Sequence, residues 1–200
     1  MKLYSSYLFD ADGTLFDTAD LVCHCFQYVA EKYCSISIPR EKILAGYGLP
    51  LKGELIKALG EDVDIDLVIE DFIQYQLQII EKDVSLFPGV LNTLDILKRN
   101  GKNLAIVTSR KPYSLSRMLA LTHTAQFFDT IITPDDTTLH KPDATPALLA
   151  MSLLGADKPD TVFVGDSQFD ILCGSNAGVD TVFVNWSHLD SAAMPIKPPW

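Results

Sequence analysis

The strongest constraint on the fold is an alternation, from residue 87 onward, between segments of helical periodicity and short apolar segments. Two of these apolar segments, residues 103–108 and 161–165, read NLAIVT and TVFVG. Nearly continuous apolar strands are typical of parallel sheets, which helices cover on both faces. Three further strands are expected, at residues 3–9, 130–133 and 181–185. The sequence therefore predicts an α/β fold with a doubly wound parallel sheet.

A block of helical pattern interrupts this arrangement after the first strand. It enters near residue 16 and leaves near residue 87, where Phe-Pro-Gly ends the helical periodicity. The sequence therefore predicts two domains, an α/β core of residues 1–16 and 87–200 and an inserted helical domain of residues 17–86. The Pro-rich residues 194–200 are expected to form an extended surface segment.

Charge and hydropathy exclude several classes of protein. Lys and Arg number 16 and Asp and Glu number 26, which gives a net charge of −10. This balance disfavours binding to nucleic acid or to an anionic membrane, because both depend on Lys and Arg. No apolar run approaches the roughly 18 residues of a spanning helix, and no secretory signal is visible. We expect a cytoplasmic protein, a monomer or a homodimer, whose partner is a small molecule.

Charged and hydroxyl side chains collect where the predicted strands end. They are Asp10, Asp12, Thr108, Ser109, Arg110, His140, Lys141, Asp166 and Asp170. Ligands of open parallel sheets bind at this edge. Clustered carboxylates repel one another, and Mg²⁺ relieves the repulsion while also binding a phosphate. Two carboxylates at one strand end can act as nucleophile and proton carrier. The constellation predicts Mg²⁺-dependent phosphoryl transfer.

These residues fall into four motifs that resemble those of the haloacid dehalogenase superfamily. Residues 10–18, DADGTLFDT, are similar to its opening DxDGTxxD motif. The strand ending at Thr108, the His-Lys-Pro of residues 140–142 and the GDSQFD of residues 165–170 resemble the second, third and fourth motifs in order. The helical block lies where the family inserts a helical cap of the C1 type. Within the superfamily, the chain resembles the phosphoglycolate phosphatase-like branch.

The resemblance implies catalytic roles. Asp10 would attack phosphorus and form an aspartyl-phosphate, and Asp12 would protonate the leaving oxygen and then take a proton from water. Thr108, the Ser109 backbone and Lys141 would hold the phosphoryl oxygens. From the residues alone, the backbone N–H groups of the Ala11-Asp12-Gly13 turn could add an anion nest. By contrast, Arg110, Lys111 and His140 are more typical of surface or structural residues.

The resemblance also implies a metal site. Mg²⁺ would lie on Asp10, on the main-chain carbonyl of Asp12 and on Asp166. Asp170 would be a ligand through water or a supporting residue behind the ligands. If residues 167–170 begin a helix, the Asp170 side chain returns to the face of Asp166.

Three functions remain open at this point. The first is a phosphatase, a phosphoric monoester hydrolase by class, whose substrate would be a phosphoglycolate-like monoester, a sugar phosphate, a nucleotide or pyrophosphate. The second is a β-phosphoglucomutase-like mutase, although Val22 and Gly165 stand where those enzymes typically have His and Glu. The third is a non-catalytic phosphate-binding regulatory protein, which the intact set of motif residues disfavours.

Overall fold

The computed structural model describes residues 3–189, which form two compact units. One unit contains the described residues up to Asp17 and from Ser85 onward, and the other is Thr18–Val84. The segment 194–200, predicted to be extended, lies outside the described residues. Within the described part of the chain, no helix is long and apolar enough to cross a membrane.

A five-stranded parallel sheet forms the centre of the first unit. Its strands lie in the order β5 (Thr130–Ile132), β4 (Asn103–Val107), β1 (Ser6–Phe9), β6 (Thr161–Gly165) and β7 (Asp180–Phe183). Phe9, the last residue of β1, pairs with Ile106 of β4 and Val164 of β6. The three central strands therefore end at nearly the same level, and the residues that follow them share one edge. The predicted α/β parallel sheet is confirmed.

Helices flank the sheet because their apolar faces complete its core. They are α5 (Val90–Arg99), α6 (Pro112–Thr122), α7 (Thr145–Leu154) and α8 (Gln168–Ala177). One buried cluster combines Leu8, Val107 and Phe163 of the sheet with Ala147 of α7 and Cys173 of α8. Such continuous burial explains why the central strands are apolar on both faces.

The second unit is all helical. It contains α1 (Ala19–Cys34), α2 (Arg40–Leu44), α3 (Leu51–Leu59) and α4 (Ile65–Asp83). Two aromatic pairs join α1 to α4: Phe26 meets Phe72 edge to face at 5.5 Å, and Tyr28 stacks on Tyr75 at 4.1 Å between ring centroids. These contacts lie within the insertion, so its helices have an apolar core of their own.

A two-stranded ribbon, absent from the sequence prediction, marks both ends of the insertion. Strand β2 (Phe16–Asp17) pairs antiparallel with β3 (Ser85–Leu86), and the Phe87 N–H donates to the Leu15 carbonyl at 3.1 Å. Two-residue strands are too short to show alternation, so periodicity could not reveal them. The ribbon joins the two segments of the first unit where the insertion begins and ends.

Candidate active site

The middle strand of the sheet carries the first two acids to the ligand-binding edge. Asp10 follows β1 directly and is 6 % exposed. The chain then turns, with Gly13 at a φ of 75°, a left-handed conformation that favours glycine. The Gly13 N–H donates to the Phe16 carbonyl at 2.9 Å. The Gly13 N–H is therefore not available to the anion nest predicted for this turn. The other two residues of the predicted nest, Ala11 and Asp12, follow Asp10 directly, and Ala11 is fully buried.

Lys141 joins two of the predicted site acids. Its Nζ lies 2.5 Å from Oδ1 of Asp10 and 2.6 Å from Oδ1 of Asp170, and it also donates to the Val107 carbonyl at 3.2 Å. The Lys141 side chain is 5 % exposed. Burial lowers the pKa of Lys141, but the charges of Asp10 and Asp170 outweigh burial and raise it above its ordinary value. Lys141 is therefore a permanent cation within the site.

Burial and mutual repulsion weaken the acidity of the carboxylates around this cation. Burial raises the pKa of Asp10 to about 7, with Lys141 opposing the shift and Asp170 adding to it. Burial, together with the charges of Asp170 and Asp10, raises the pKa of Asp166 well above its ordinary value. One lysine does not neutralise three buried carboxylates, so the cluster favours a further cation.

The arrangement fits a hard divalent cation. Carboxylate oxygens of Asp10, Asp166 and Asp170 lie within 4.8 Å of one another, and all three residues are buried. Oδ2 of Asp166 is buried and has no hydrogen-bond partner among residues 3–189. A buried carboxylate oxygen without a donor is unfavourable unless a metal ion or an ordered water contacts it. Asp10, Asp166 and Asp170 are thus a buried acidic triad that could bind a metal ion.

Asp170 is already engaged on both carboxylate oxygens. Oδ1 accepts from Lys141, while Oδ2 accepts from the Ser167 N–H at 3.0 Å and from its hydroxyl at 2.6 Å. The bond from the Ser167 N–H is one half of a capping box at the start of α8, and in the other half the Ser167 side chain accepts from the Asp170 N–H. A Cβ added at Gly165 would lie 2.2 Å from the Asp170 Cβ, so this position needs glycine. These contacts favour the supporting role among the two predicted for Asp170.

The predicted phosphoryl-binding residues follow β4. Thr108 is buried, and its hydroxyl accepts from the Arg110 N–H at 3.0 Å. Ser109 is exposed and follows Thr108 directly. His140 is exposed, in agreement with a solvated side chain. Thr108 and Ser109 lie in the loop after β4 and Lys141 in the loop after β5, at the edge of the sheet that carries Asp10.

Arg110 is the site residue that sequence reasoning missed. It was expected at the surface, but its side chain is only 8 % exposed. Nε donates to Oδ2 of Asp12 at 2.7 Å and Nη2 to Oδ1 at 2.5 Å, which is a bidentate ion pair. The only sequence signal was its place two residues after Thr108, at the end of a central strand. Lys111 is indeed exposed and pairs with Asp135.

This chain is similar to several known proteins. A family model described as haloacid dehalogenase-like hydrolase matches residues 7–184. The pyrophosphatase PpaX of Bacillus velezensis is 35 % identical over 93 % of this chain and 85 % of its own length. The pyrophosphatase PpaX of Oceanobacillus iheyensis is 36 % identical over 92 % of this chain and 85 % of its own length.

Solved structures show the same fold. A candidate haloacid dehalogenase-like hydrolase from Bacteroides fragilis superposes with a TM-score of 0.85 at 28 % identity, covering 98 % of this chain and 94 % of that one. A haloacid dehalogenase-like family hydrolase from Streptococcus pneumoniae gives a TM-score of 0.85 at 22 % identity over 94 % of this chain and 88 % of that one. At that lower identity, the match concerns the fold alone.

Proposed function

The chain belongs to the haloacid dehalogenase-like hydrolase family, and from that premise we propose that it is a Mg²⁺-dependent hydrolase of pyrophosphate or a small phosphomonoester that forms an aspartyl-phosphate on Asp10. The chain is a phosphatase of this family. The proposal concerns its metal, its catalytic residues and its substrate. One observation carries it: Lys141 holds Asp10 and Asp170 together, with the unpartnered Asp166 oxygen beside them.

Asp10 is suited to nucleophilic attack. Lys141 binds its Oδ1 and thereby orients the carboxylate at the sheet edge. A bond forms between an Asp10 oxygen and phosphorus while the bond from phosphorus to the leaving oxygen breaks. Thr108, the Ser109 backbone and Lys141 would hold the phosphoryl oxygens as their charge develops.

Asp12 is suited to proton transfer because it lies two residues from the nucleophile on the same turn. Its proton goes to the leaving oxygen in the first step. In the second step a water attacks phosphorus, gives its proton to Asp12 and releases phosphate from Asp10. Both carboxyl groups return to their starting states, so the cycle balances.

Asp10, Asp166 and the Asp12 carbonyl would hold Mg²⁺, with Asp170 supporting them. When bound, Mg²⁺ neutralises charge on the phosphoryl group and on the carboxylates. The unpartnered oxygen of Asp166 and the raised pKa values of Asp10 and Asp166 support a cation at this position.

Pyrophosphate is the substrate that we propose first. The PpaX relatives are named as pyrophosphatases and match more than nine-tenths of this chain. The sequence resemblance to the phosphoglycolate phosphatase-like branch keeps phosphoglycolate as the second substrate to test. The role of residues 17–86 as a cap that excludes water during the reaction stays a prediction, as do the domain boundaries.

The test is phosphate release with Mg²⁺ from pyrophosphate, phosphoglycolate, nucleoside monophosphates and hexose phosphates, run beside Asp10→Asn. We expect turnover by the wild type, none by the variant, and a mass increase of one phosphoryl group on acid-quenched wild type only. Turnover by a pure Asp10→Asn preparation would refute the covalent mechanism. Formation of glucose 6-phosphate from β-glucose 1-phosphate without phosphate release would favour the mutase instead.

A further inference from the structure

We propose that Arg110 binds the leaving group of the substrate and selects leaving groups that carry their own negative charge. Such groups are the second phosphate of pyrophosphate and the carboxylate of a carboxyalkyl phosphate. The inference rests on the proposed function, because it takes Asp12 as the proton donor to the leaving oxygen.

Hydrogen bonds to Asp12 and Ser114 hold the Arg110 guanidinium within the site. Two go to the Asp12 carboxylate, and Nη1 donates to the Ser114 hydroxyl of α6 at 2.6 Å. Because the side chain is only 8 % exposed, these contacts fix both the position and the plane of the guanidinium. A buried, oriented arginine is a recognition group rather than a solvated surface charge.

The contact with Asp12 gives the location of this recognition group. A proton donor must come within hydrogen-bond distance of the oxygen that leaves phosphorus. A guanidinium one hydrogen bond from that donor therefore borders the leaving group. Lys141, in contrast, contacts Asp10 and so serves the attacking side. These two buried cations divide the site into a nucleophile side and a leaving-group side.

The contact with the Asp12 carboxylate also indicates which chemical group Arg110 can bind. A guanidinium fork binds a carboxylate or a phosphate through two parallel hydrogen bonds. An anionic leaving group offers the same kind of oxygen pair, and a guanidinium, which has five N–H donors, can bind it beside Asp12. The buried acids Asp10, Asp166 and Asp170 would repel such a group, and Arg110 supplies the compensating charge.

The first experiment compares two substrates that differ in one group. Phosphoglycolate and 2-hydroxyethyl phosphate both release an alkoxide, but only the first has a carboxylate on it. We expect Arg110→Gln to lower kcat/KM about 10- to 100-fold for phosphoglycolate and pyrophosphate, and less than about threefold for 2-hydroxyethyl phosphate. An equal loss on all three substrates would mean that Arg110 only orients Asp12, and would overturn the inference.

Two further variants keep this comparison decisive. Lys111→Gln removes the neighbouring cation, which is exposed and paired with Asp135, so the substrate ratio should not change. Arg110→Lys keeps the charge but loses the fork, so it should recover part of the preference. If Arg110→Gln does not fold, the same two substrates are compared in Arg110→Lys. A ratio of their kcat/KM values equal to that of the wild type would then overturn the inference.

Binding separates this inference from the proposed function. Titration with 3-phosphonopropionate and 3-hydroxypropylphosphonate, in the presence of Mg²⁺, needs no turnover. Arg110→Gln should weaken binding of the carboxylate-bearing phosphonate about 10-fold or more and leave the other within about twofold. If Arg110→Gln weakens binding in this selective way but the wild type shows no turnover of any substrate, the proposed function is overturned and the inference stands. If Arg110→Gln weakens the binding of both phosphonates equally, or if the wild type binds neither phosphonate, the inference is overturned.

Discussion

The Lys141 ammonium lies 2.5 Å from the Asp10 carboxylate although the two residues are 131 positions apart in the chain. Asp10 follows the middle strand of the sheet, and Lys141 comes from a loop beyond β5. Both side chains are almost fully buried, so the pair depends on the complete fold of the α/β unit. If either charge is removed, the other charge stays buried in the protein interior without this counter-charge, which is unfavourable.

Replacing Lys141 with Met should abolish most activity and destabilise the protein. Asp10 and Asp170 would both lose their buried counter-charge, which costs about 3–5 kcal/mol of unfolding free energy. Loss of a cation from the phosphoryl oxygens should lower kcat/KM at least about 100-fold. Urea denaturation at pH 7 without metal and steady-state kinetics measure the two effects.

Lys98→Met is the matched control for this substitution. Lys98 forms a partly exposed pair with Asp129 at 2.7 Å, and surface pairs of this kind contribute at most about 1 kcal/mol. The control should retain full activity. A stability loss in Lys141→Met no larger than that of Lys98→Met would contradict a structural role for the buried pair.

The metal-free protein should lose stability as the pH rises from about 4 to about 7. Burial raises the pKa of Asp10 from 3.8 to about 7, so in this range the folded state holds a proton that the unfolded state has released. The unfolding free energy is therefore highest below the unfolded pKa and falls until the pH passes the folded pKa. Denaturation in EDTA across this range measures the slope. Asp10→Asn should make the slope smaller, and the slope that remains is expected from Asp166, whose pKa is also raised. An unchanged slope in that variant would assign the pH dependence to groups other than Asp10.

The sheet and the order of the site motifs could be predicted because both leave strong local signals. β4 and β6 are nearly continuous apolar runs, and each is followed directly by polar residues. In a parallel sheet this pattern predicts which residues share an edge. Asp10, Thr108 and Asp166 accordingly lie at one edge, although their chemical roles remain proposals.

The pairings of Arg110 with Asp12 and of Lys141 with Asp170 could not be predicted, because they join residues that are distant in the chain. Arg110 follows a strand as an exposed loop cation would, but in the structure it pairs with Asp12, 98 positions away, and is largely buried. Similarly, nothing local indicates that Gly13 donates to Phe16 rather than facing a ligand. Side-chain pairing across the sheet edge depends on exact geometry, which periodicity does not contain.

Gly165→Ala should displace Asp170 and disturb the whole cluster. The added Cβ would lie 2.2 Å from the Asp170 Cβ and 2.5 Å from its Cγ, which is too close for either atom to remain in place. We expect a loss of about 1–3 kcal/mol in unfolding free energy, together with a fall in kcat as Lys141 loses its alignment. Thermal unfolding and phosphate release measure both.

Gly53→Ala is the control for the same chemical change. Gly53 lies inside α3, and its added Cβ would meet nothing within 4 Å. Alanine favours a helix interior, so this variant should gain up to about 1 kcal/mol and keep its activity. Equal stability changes in the two variants would show that the contact with Asp170 does not restrict residue 165.

Mg²⁺ should stabilise the folded protein through Asp166. A ligand that binds only the folded state adds about 2.7 kcal/mol at one hundred times its Kd. Asp166→Asn should abolish this gain and yet raise the stability of the metal-free protein, because one of three mutually repelling buried carboxylates is removed. Thermal unfolding with EDTA and with Mg²⁺ measures both changes. Asp66→Asn, at an exposed surface pair with Lys52, should respond to Mg²⁺ as the wild type does. A Mg²⁺-dependent shift that survives in Asp166→Asn would place the metal elsewhere.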